Sequence, residues 1–330
     1  MGGDDAPASV VEGAVLAARE MGLALLLVGD EPRLRDELAK HPPAPTIRLV
    51  HAPTVVAMDE SPSFVIRRRR DSSIWRATEL VKRGEADAVI SAGHTGAAMA
   101  TSFFLLGTLQ GVERPAIATI LPTLHGASVL LDVGANVDSK PQHLVQFAIM
   151  GHVYAQRMLG NASPRVGLLN IGEEDTKGNE LTKETFKLLK QARINFIGNV
   201  EGRDVYTGDT DVIVCDGFIG NVALKISEGL AEAIMQVLRR EITASVFGRL
   251  GFLLLKPAFR RFKRRVDYAE YGGAPLLGIN GVSIICHGRS SPKAIKNAVR
   301  VARDFVVGEI NRHIRDDIER HVGLHLGAGA

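Results

Sequence analysis

The sequence predicts an α/β protein, with a mostly parallel sheet that helices cover on both faces. Short apolar runs alternate with amphipathic segments along the whole chain, which is typical of consecutive βαβ units. The run at 128–133 is too short for a helix and is bounded by turn-forming residues, which indicates a buried strand. The 330 residues are enough for one large core or two lobes. We predict one domain over residues 1–330.

The elements follow in order from local signals. A stripe of Val10, Ala14 and Val15 predicts the first helix, and Gly29 closes the strand after it. Ser72 or Ser73 can cap a helix, and Pro141 can begin one because it fits the first helical turn. The predicted helices lie at 9–19, 32–40, after 73, after 97, from 141, up to 189, from about 222 and at 292–321. The predicted strands lie at 23–28, 46–50, 87–91, 117–121, 128–133, 165–170, 195–197, 211–214 and, with a turn, 284–288.

Composition argues against several classes of protein. Aromatic residues make up only 5% of the chain, which argues against a nucleic-acid stacking surface. The two cysteines, Cys215 and Cys286, form no metal-binding or disulfide pattern and fit a reducing compartment. The sequence has no secretory signal and no uninterrupted apolar stretch of the roughly 18 residues that a membrane-spanning helix needs. We therefore expect a cytoplasmic protein.

Polar, glycine-bearing loops follow four of the predicted strands. If the strands are parallel, their carboxyl ends share one edge of the sheet, which is where open α/β sheets bind ligands. Glycines let backbone N–H groups approach an anion, and a following helix adds a partial positive charge. None of the loops matches a nucleotide-binding motif, so the pattern favours a phosphorylated ligand or free phosphate. These loops are 93–96, 134–136, 175–179 and 216–221.

Two residues in or beside these loops have competing interpretations. Lys177 is suited to a phosphate oxygen, but the acidic residues at 173–175 could instead hold it in a solvated ion pair. Cys215 belongs to no recognisable motif with a histidine, which favours a buried small hydrophobe over a nucleophile. Among the histidines, His94 is the best candidate for a role in the site because it follows a strand end between two glycines.

A set of motifs resembles those of the bacterial phosphate acyltransferases, which transfer acyl groups from acyl carrier protein to phosphate. They run through nearly the whole chain in one order, so the resemblance is specific. The family places a strand directly before its first motif, so we expect this chain to start inside the loop that follows that strand, either because the start codon is assigned too late or because the first strand is missing. The family also has His and Asn where this sequence has Asp5 and His94. The motifs lie at 1–7, 91–97, 131–138, 170–183, 196–204, 216–221 and 271–274.

The resemblance implies a fold like that of isocitrate and isopropylmalate dehydrogenases, a homodimer and no nucleotide cofactor. In the implied reaction, inorganic phosphate attacks the thioester of an acyl group on acyl carrier protein, giving acyl phosphate for phospholipid synthesis. Phosphate is itself the nucleophile, so the site must supply orientation and charge stabilisation. We assign catalysis to Lys177 and Asn221, and we expect Asp132 and Asn136 to support them from behind. Phosphate or substrate binding is assigned to Gly93, His94, Thr95, Gly96, Asn136, Asn179, Asp216 and Gly220.

A basic amphipathic segment at 247–268 is predicted to form a protruding helical hairpin. One interpretation is a core helix with a solvated basic face. The others are peripheral contact with an anionic membrane, beside a membrane glycerol-3-phosphate acyltransferase that receives the product, and docking of the acidic acyl carrier protein. A basic run at 67–70 is a second candidate for the carrier protein. The predicted contact residues are Phe252, Leu254, Phe259, Arg260, Arg261 and Arg264.

Three other functions compete with this interpretation. A transferase of the phosphotransacetylase type would use acyl-coenzyme A, and preference for the carrier protein would distinguish the two. A dehydrogenase of the same fold would bind a nicotinamide cofactor, for which the sequence has no fingerprint. A peripheral membrane scaffold would bind lipid without turnover.

Overall fold

The computed structural model describes residues 1–245 and 271–327, together with 247–248, 251–252, 254–257, 259 and 262. The strands are β1 Leu25–Gly29, β2 Ile47–His51, β3 Ala88–Ser91, β4 Ala116–Thr123, β5 Gly126–Leu131, β6 Val166–Leu169, β7 Phe196–Val200, β8 Val212–Val214, β9 Ala274–Leu277 and β10 Val282–Ile285. The helices are α1 Ala8–Met21, α2 Glu31–Leu38, α3 Pro62–Arg68, α4 Ser73–Lys82, α5 Thr95–Leu106, α6 Pro141–Met158, α7 Glu180–Leu189, α8 Gly217–Thr243, α9 Pro292–Val307 and α10 Ile310–Gly327.

The strands form two sheets. The larger has eight strands in the order β3-β10-β9-β4-β5-β8-β6-β7, and the smaller pairs β1 with β2. Four of the neighbouring pairs in the larger sheet are parallel, β3 with β10 and the successive pairs from β5 through β8 and β6 to β7. The three pairs between β10 and β5 are antiparallel, and β1 with β2 is parallel. The prediction of an α/β fold with a mostly parallel sheet is confirmed.

Helices cover both faces of the larger sheet. On one face α6, α7, α9 and α10 pack onto the strands around the fully buried Phe147 and Tyr154 of α6. On the other face α5 and α8 contribute Ala98 and Leu224 to a second apolar cluster, which includes Leu130 and Ile213. Because Phe147 is fully buried, Phe147→Ala should lower the free energy of unfolding by about 3–5 kcal/mol. Because helices cover both faces of the sheet, the central strands bury side chains on both sides, which explains why these strands are almost continuously apolar.

A local capping signal predicted the start of α4 correctly. Ser72 accepts a hydrogen bond from the backbone N–H of Trp75 and so caps α4. The predicted helix over 292–321 is instead two helices, α9 and α10, because Glu309 takes a left-handed conformation with φ 48° between them. Strand β9 was not predicted, since Pro275 and the preceding glycines have the composition of a loop.

Most of the predicted hairpin at 247–268 lies outside the described residues. Among the described residues, none of the helices combines the length and apolarity that crossing a bilayer requires.

Candidate active site

Three of the four predicted loops meet at one edge of the larger sheet. Strands β5, β8 and β6 are neighbours and run parallel, so the segments after them lie side by side, with neighbouring strands about 4.8 Å apart. We call this region, made of residues 132–136, 170–179 and 215–221, the β5–β8–β6 edge. The two predicted catalytic residues, Lys177 and Asn221, lie in segments that follow neighbouring strands of this edge, as do Asn136 and Asp216.

The fourth predicted loop, 93–96, lies at the opposite edge. The antiparallel pairs between β10 and β5 reverse the direction of β3 relative to β5, β6 and β8. The expectation that all four loops share one edge is therefore wrong for Gly93, His94, Thr95 and Gly96. It rested on a fully parallel sheet, and the β4–β5 hairpin breaks that condition.

A buried carboxylate organises the β5–β8–β6 edge. Asp132 is fully buried after β5, and its two oxygens accept from the backbone N–H groups of Ile117, Gly134, Ala135 and Asn136 at 2.7–3.2 Å. Burial raises the pKa of this carboxyl, while the hydrogen bonds to it act in the opposite direction. Asp132 thereby fixes the path of the loop that the other site residues contact.

The side chain of Asn136 supports this loop. Its amide nitrogen donates to the carbonyl of Pro115 at 2.7 Å and to the Asp132 carboxylate at 2.9 Å. Both amide protons are thus used within the protein, so the group cannot also donate to a phosphate. This geometry fits the expectation that Asn136 supports the site from behind.

Helix α8 begins at Gly217, five residues earlier than predicted, so residues 217–221 form its first turn. The first turn of α8 approaches the loop after Asp132 so closely that two of its positions require glycine. A Cβ on Gly220 would collide with the Asp132 carbonyl, and a Cβ on Gly217 would lie 2.6 Å from the Asn136 carbonyl. The same closeness brings Asn221 against the loop. A Cβ on Gly134 would lie 3.6 Å from the amide atoms of Asn221.

The first turn of α8 has no free backbone donor. Asp216 caps it by accepting from the N–H groups of Phe218 and Ile219, each at 3.0 Å. The N–H of Gly217 donates to the Asn136 carbonyl, and that of Gly220 donates to the Asp216 carbonyl. Because Asp216 carries a negative charge and all four N–H groups are used, this helix end is unsuited to phosphate. The geometry does not support the predicted phosphate-binding role of Asp216 and Gly220, whose hydrogen bonds lie within the first turn of the helix that carries Asn221.

The loop after β6 presents Lys177 to solvent. Two of the three acidic residues before it pair elsewhere, Glu173 with Arg203 at 3.1 Å and Asp175 with Lys190 at 2.6 Å. In the described part of the chain, no ion pair involves Lys177. The interpretation of Lys177 as one member of a solvated ion pair is therefore not supported, and its ammonium group is available to an anion.

The backbone on both sides of Lys177 is held in place. Asn170 donates from its amide to the Lys177 carbonyl at 3.1 Å. Gly178 adopts φ 100°, and a Cβ there would lie 2.5 Å from the Asn170 amide oxygen. Asn179 caps α7 by accepting from the N–H of Thr182 at 2.9 Å. Asn170 was not assigned a role from the sequence, and its position as the last residue of a predicted strand was the signal available.

The loop at 93–96 forms the amino end of α5. His94 caps this helix, with Nδ1 accepting from the N–H of Ala97 at 3.1 Å. An Asn side chain, which the resemblance leads us to expect at this position, can accept in the same way. Within the described residues, no acceptor is found for the N–H groups of Thr95 and Gly96. The amino end of α5 therefore offers two free donors beside a neutral cap.

Residues 1–4 pack against this helix end. Gly2 lies within van der Waals distance of Gly93, and Gly3 approaches the Ala92 carbonyl so closely that no Cβ fits between them. The N–H of Asp4 donates to the Gly288 carbonyl at 2.9 Å. The first motif of the chain thus lies at the carboxyl ends of β3 and β10.

Comparison with known proteins gives the family. The sequence profile of the "Fatty acid synthesis protein" family matches residues 1–313. The chain is 56% identical over 327 residues to the phosphate acyltransferase of Geobacter sulfurreducens, covering 99% of this chain and 94% of that protein. It is 54% identical over 319 residues to the phosphate acyltransferase of Pelotomaculum thermopropionicum, covering 97% and 93%. The chain belongs to the phosphate acyltransferase family.

Solved structures show that this phosphate acyltransferase family member has the fold of phosphotransacetylases. A phosphotransacetylase from Streptococcus pyogenes matches with a TM-score of 0.61 and 17% identity, over 92% of each chain. The EutD phosphotransacetylase from Staphylococcus aureus matches with a TM-score of 0.59 and 17% identity, also over 92% of each chain.

Two further predictions concern Cys215, which lies in the β5–β8–β6 edge, and the predicted contact segment within 247–268. Cys215 is buried, and burial raises the pKa of its thiol well above the ordinary value, which excludes a reactive thiolate at neutral pH. In the predicted contact segment, the rings of Phe252 and Phe259 lie 5.0 Å apart and Leu254 is 77% exposed. The structures of Arg260, Arg261 and Arg264 lie outside the described residues.

Proposed function

We propose that the protein transfers a long-chain acyl group from acyl carrier protein to inorganic phosphate, forming acyl phosphate for phospholipid synthesis. Family membership over nearly the full chain supports an acyltransferase with phosphate as acceptor. The observation that carries the proposal is the pair at the β5–β8–β6 edge. Lys177 offers an unpaired ammonium group, and Asn221 offers an amide held against Gly134.

In this reaction the protein has mainly to position the two substrates and to stabilise the negative charge that develops. A phosphate oxygen attacks the thioester carbon, a tetrahedral oxyanion forms, and its collapse breaks the C–S bond to release the carrier thiolate. A thiol with a pKa of about 8.5 leaves without strong acid catalysis. Lys177 binds the phosphate oxygens and offsets their charge, and Asn221 donates to the oxyanion or the phosphate. Removing one such donor costs about 10²–10³ in kcat.

The amino end of α5 is the second proposed anion contact. The N–H groups of Thr95 and Gly96 point into the field of the helix dipole, which favours a negative group by up to about 2 kcal/mol in partly buried geometry. We assign to it a phosphate group of the acyl carrier protein substrate, because the reacting phosphate is assigned to Lys177 at the other edge. Because β3 runs in the opposite direction to β6, this contact and Lys177 lie at opposite edges of the sheet. Mutations can therefore test the two contacts separately.

The carrier protein and the membrane are the proposed partners. Directly after α3, Arg69 forms an ion pair with Glu60, and the guanidinium group of Arg70 lies 5.5 Å from the centre of the Trp75 ring. Part of the basic run at 67–70 therefore already contacts other residues of the protein. Leu254 and Phe262 are exposed apolar side chains in the predicted hairpin. We propose that the hairpin makes peripheral contact with an anionic membrane, where the product passes to a membrane acyltransferase.

A homodimer is part of the proposal. Helix α8 exposes an apolar stripe at the spacing of one helical face, formed by Ile226, Leu230, Ile234 and Val237. Exposed apolar stripes of this length mark protein interaction sites. A second copy of the same helix would cover it by self-complementary packing.

Hydroxylamine trapping of acyl phosphate tests the proposed reaction. The protein is incubated with long-chain acyl carrier protein and phosphate, and matched reactions omit phosphate or replace the carrier substrate with acyl-coenzyme A. We expect hydroxamate that depends on phosphate and forms faster from the carrier protein. The fold of phosphotransacetylases favours acyl-coenzyme A as the alternative donor, and preference for it would overturn the carrier-protein assignment. Lipid binding without any hydroxamate would support the scaffold instead.

A further inference from the structure

Strand β7 ends beside the loop that carries Lys177. It pairs in parallel with β6, the strand that leads into this loop. The N–H of Asn170 donates to the Val200 carbonyl at 2.8 Å, so the two strand ends stay joined up to the start of the loop. Side chains at the end of β7 can therefore contact the loop directly. This strand end belongs to the motif at 196–204, which contributes none of the proposed catalytic residues.

The amide of Asn199 holds the turn that contains Lys177. Its Nδ2 donates to the Glu174 carbonyl at 3.0 Å. The same carbonyl accepts from the N–H of Lys177 at 3.0 Å, and this second hydrogen bond closes the turn at 174–177. Asn170 holds the other end of the turn, because its amide donates to the Lys177 carbonyl at 3.1 Å. Two side-chain amides, at the ends of β6 and β7, thus fix the backbone from which the Lys177 side chain projects.

Only one end of the Asn199 amide has a partner. Asn199 is 7% exposed, and within the described residues its Oδ1 is buried without a hydrogen-bond partner. The amide cannot be reversed, because its oxygen would then face the Glu174 carbonyl and set two acceptors against each other. A buried acceptor without a partner lowers stability, so an apolar side chain of similar shape would serve the fold at least as well. The contribution of Asn199 is therefore its hydrogen bond to the loop.

Arg203, in the same motif, pairs with an acidic neighbour of Lys177. Its guanidinium group lies 3.1 Å from the carboxylate of Glu173 and 3.0 Å from that of Glu201. A carboxylate at 173 without this partner would compete with phosphate for the Lys177 ammonium group. By holding Glu173, Arg203 leaves that ammonium group available to an anion.

We propose that Asn199 and Arg203 are positioning residues for the contact between Lys177 and phosphate. Asn199 fixes the backbone of the turn, and Arg203 keeps Glu173 from the ammonium group. This role depends on the proposed function, in which Lys177 binds the reacting phosphate. Because both residues act through Lys177, their loss should weaken the binding of phosphate and leave the KM for the acyl carrier protein substrate unchanged.

Protection of Lys177 from acetylation measures phosphate binding without turnover. The protein is treated with N-hydroxysuccinimidyl acetate over a series of phosphate concentrations at constant ionic strength, and peptide mass spectrometry follows each lysine. We expect phosphate to slow acetylation at Lys177 in the unsubstituted protein, while the exposed Lys187 on α7 reacts at a constant rate. A lack of protection in that protein would overturn the phosphate assignment of the proposed function together with the positioning role.

Asn199→Leu removes the donor and keeps a side chain that branches at Cγ. We expect the phosphate concentration for half-protection of Lys177 to rise about fivefold, as for one lost hydrogen bond, and Tm to fall by no more than about 2 °C. The matched control is Asn195→Ala just before β7, which removes an amide donor to the Ser163 carbonyl at 3.2 Å and should leave the protection unchanged. If phosphate protects Lys177 equally in Asn199→Leu and the unsubstituted protein, the role of Asn199 is overturned and the proposed function stands.

Arg203→Gln provides a test on exposed residues, where folding is not at risk. We expect half-protection of Lys177 to need about threefold more phosphate, within the range of an exposed ion pair. Adding Glu173→Gln should restore the original value, because the competing carboxylate is then gone. Adding Glu201→Gln instead changes the charge equally and should restore nothing. Equal recovery with the two second substitutions, or recovery with neither, would overturn the role of Arg203.

Discussion

The amino ends of α5 and α8 look alike in sequence and differ in chemistry. Each follows a strand, and glycines lie in or just before the first turn of both helices. At α8 the charged Asp216 caps the helix and all four first-turn N–H groups are used. At α5 the neutral His94 caps the helix, and Thr95 and Gly96 keep free N–H groups among the described residues. The glycines of α8 serve close packing, whereas the end of α5 can bind an anion.

The largest expected effect concerns the packing role of α8. Gly220→Ala would place a Cβ against the Asp132 carbonyl and 2.9 Å from the Cys215 sulfur. Overpacking of this kind costs about 1–3 kcal/mol or more, and we expect the upper end because the nearest atom is backbone. The free energy of unfolding, measured by urea denaturation, checks this.

Gly229 of α8 is the matched control. A Cβ there meets no atom within 4 Å, so Gly229→Ala should stabilise the protein by about 1 kcal/mol through helix propensity alone. Equal effects of the two substitutions would show that Gly220 has no packing role.

The second largest expected effect tests whether Lys177 contacts phosphate instead of the acidic residues around it. Lys177→Ala should lower kcat/KM for phosphate by about 100-fold, since the ammonium group is the only charge proposed to contact phosphate at this edge. Initial rates at subsaturating phosphate measure it. Lys187→Ala on the exposed side of α7 is the control for loss of a surface charge. Full turnover of Lys177→Ala under these conditions would remove the central assignment.

The smallest effect tests the free donors of α5. Thr95→Pro removes one N–H at the first helical position, where proline fits, and His94 before it already has the extended conformation that proline requires. We expect the KM for the acyl carrier protein substrate to rise by about tenfold with Tm unchanged, as for one hydrogen bond to a charged group. Thr95→Ala keeps the N–H and should behave as the unsubstituted protein. Identical KM values for the two variants would exclude a contact at this donor.

The candidate site could be predicted in part from local sequence. The position of Lys177 and Asn221 at a sheet edge was predicted because each lies in a polar segment after a buried strand, and strands β6 and β8 do end together. The role of Asn136 could not be predicted from local sequence, because its amide donates to the carbonyl of Pro115, 21 positions earlier in the chain. Whether a polar side chain binds a ligand or its own protein is decided by such partners, and local pattern does not reveal them.

The sequence by itself determined the order and type of most elements, because strand and helix periodicity and caps such as Ser72 act over a few residues. It also determined the family, through motifs spread along the chain. The tertiary structure decided the direction of β3 relative to β5, which separates residues 93–96 from Lys177. That direction depends on pairing of β9 and β10 with strands more than 150 residues earlier, as in the register of Ala116 with Leu277. Pairing at that separation is fixed by the global packing of the sheet, and no local signal specifies it.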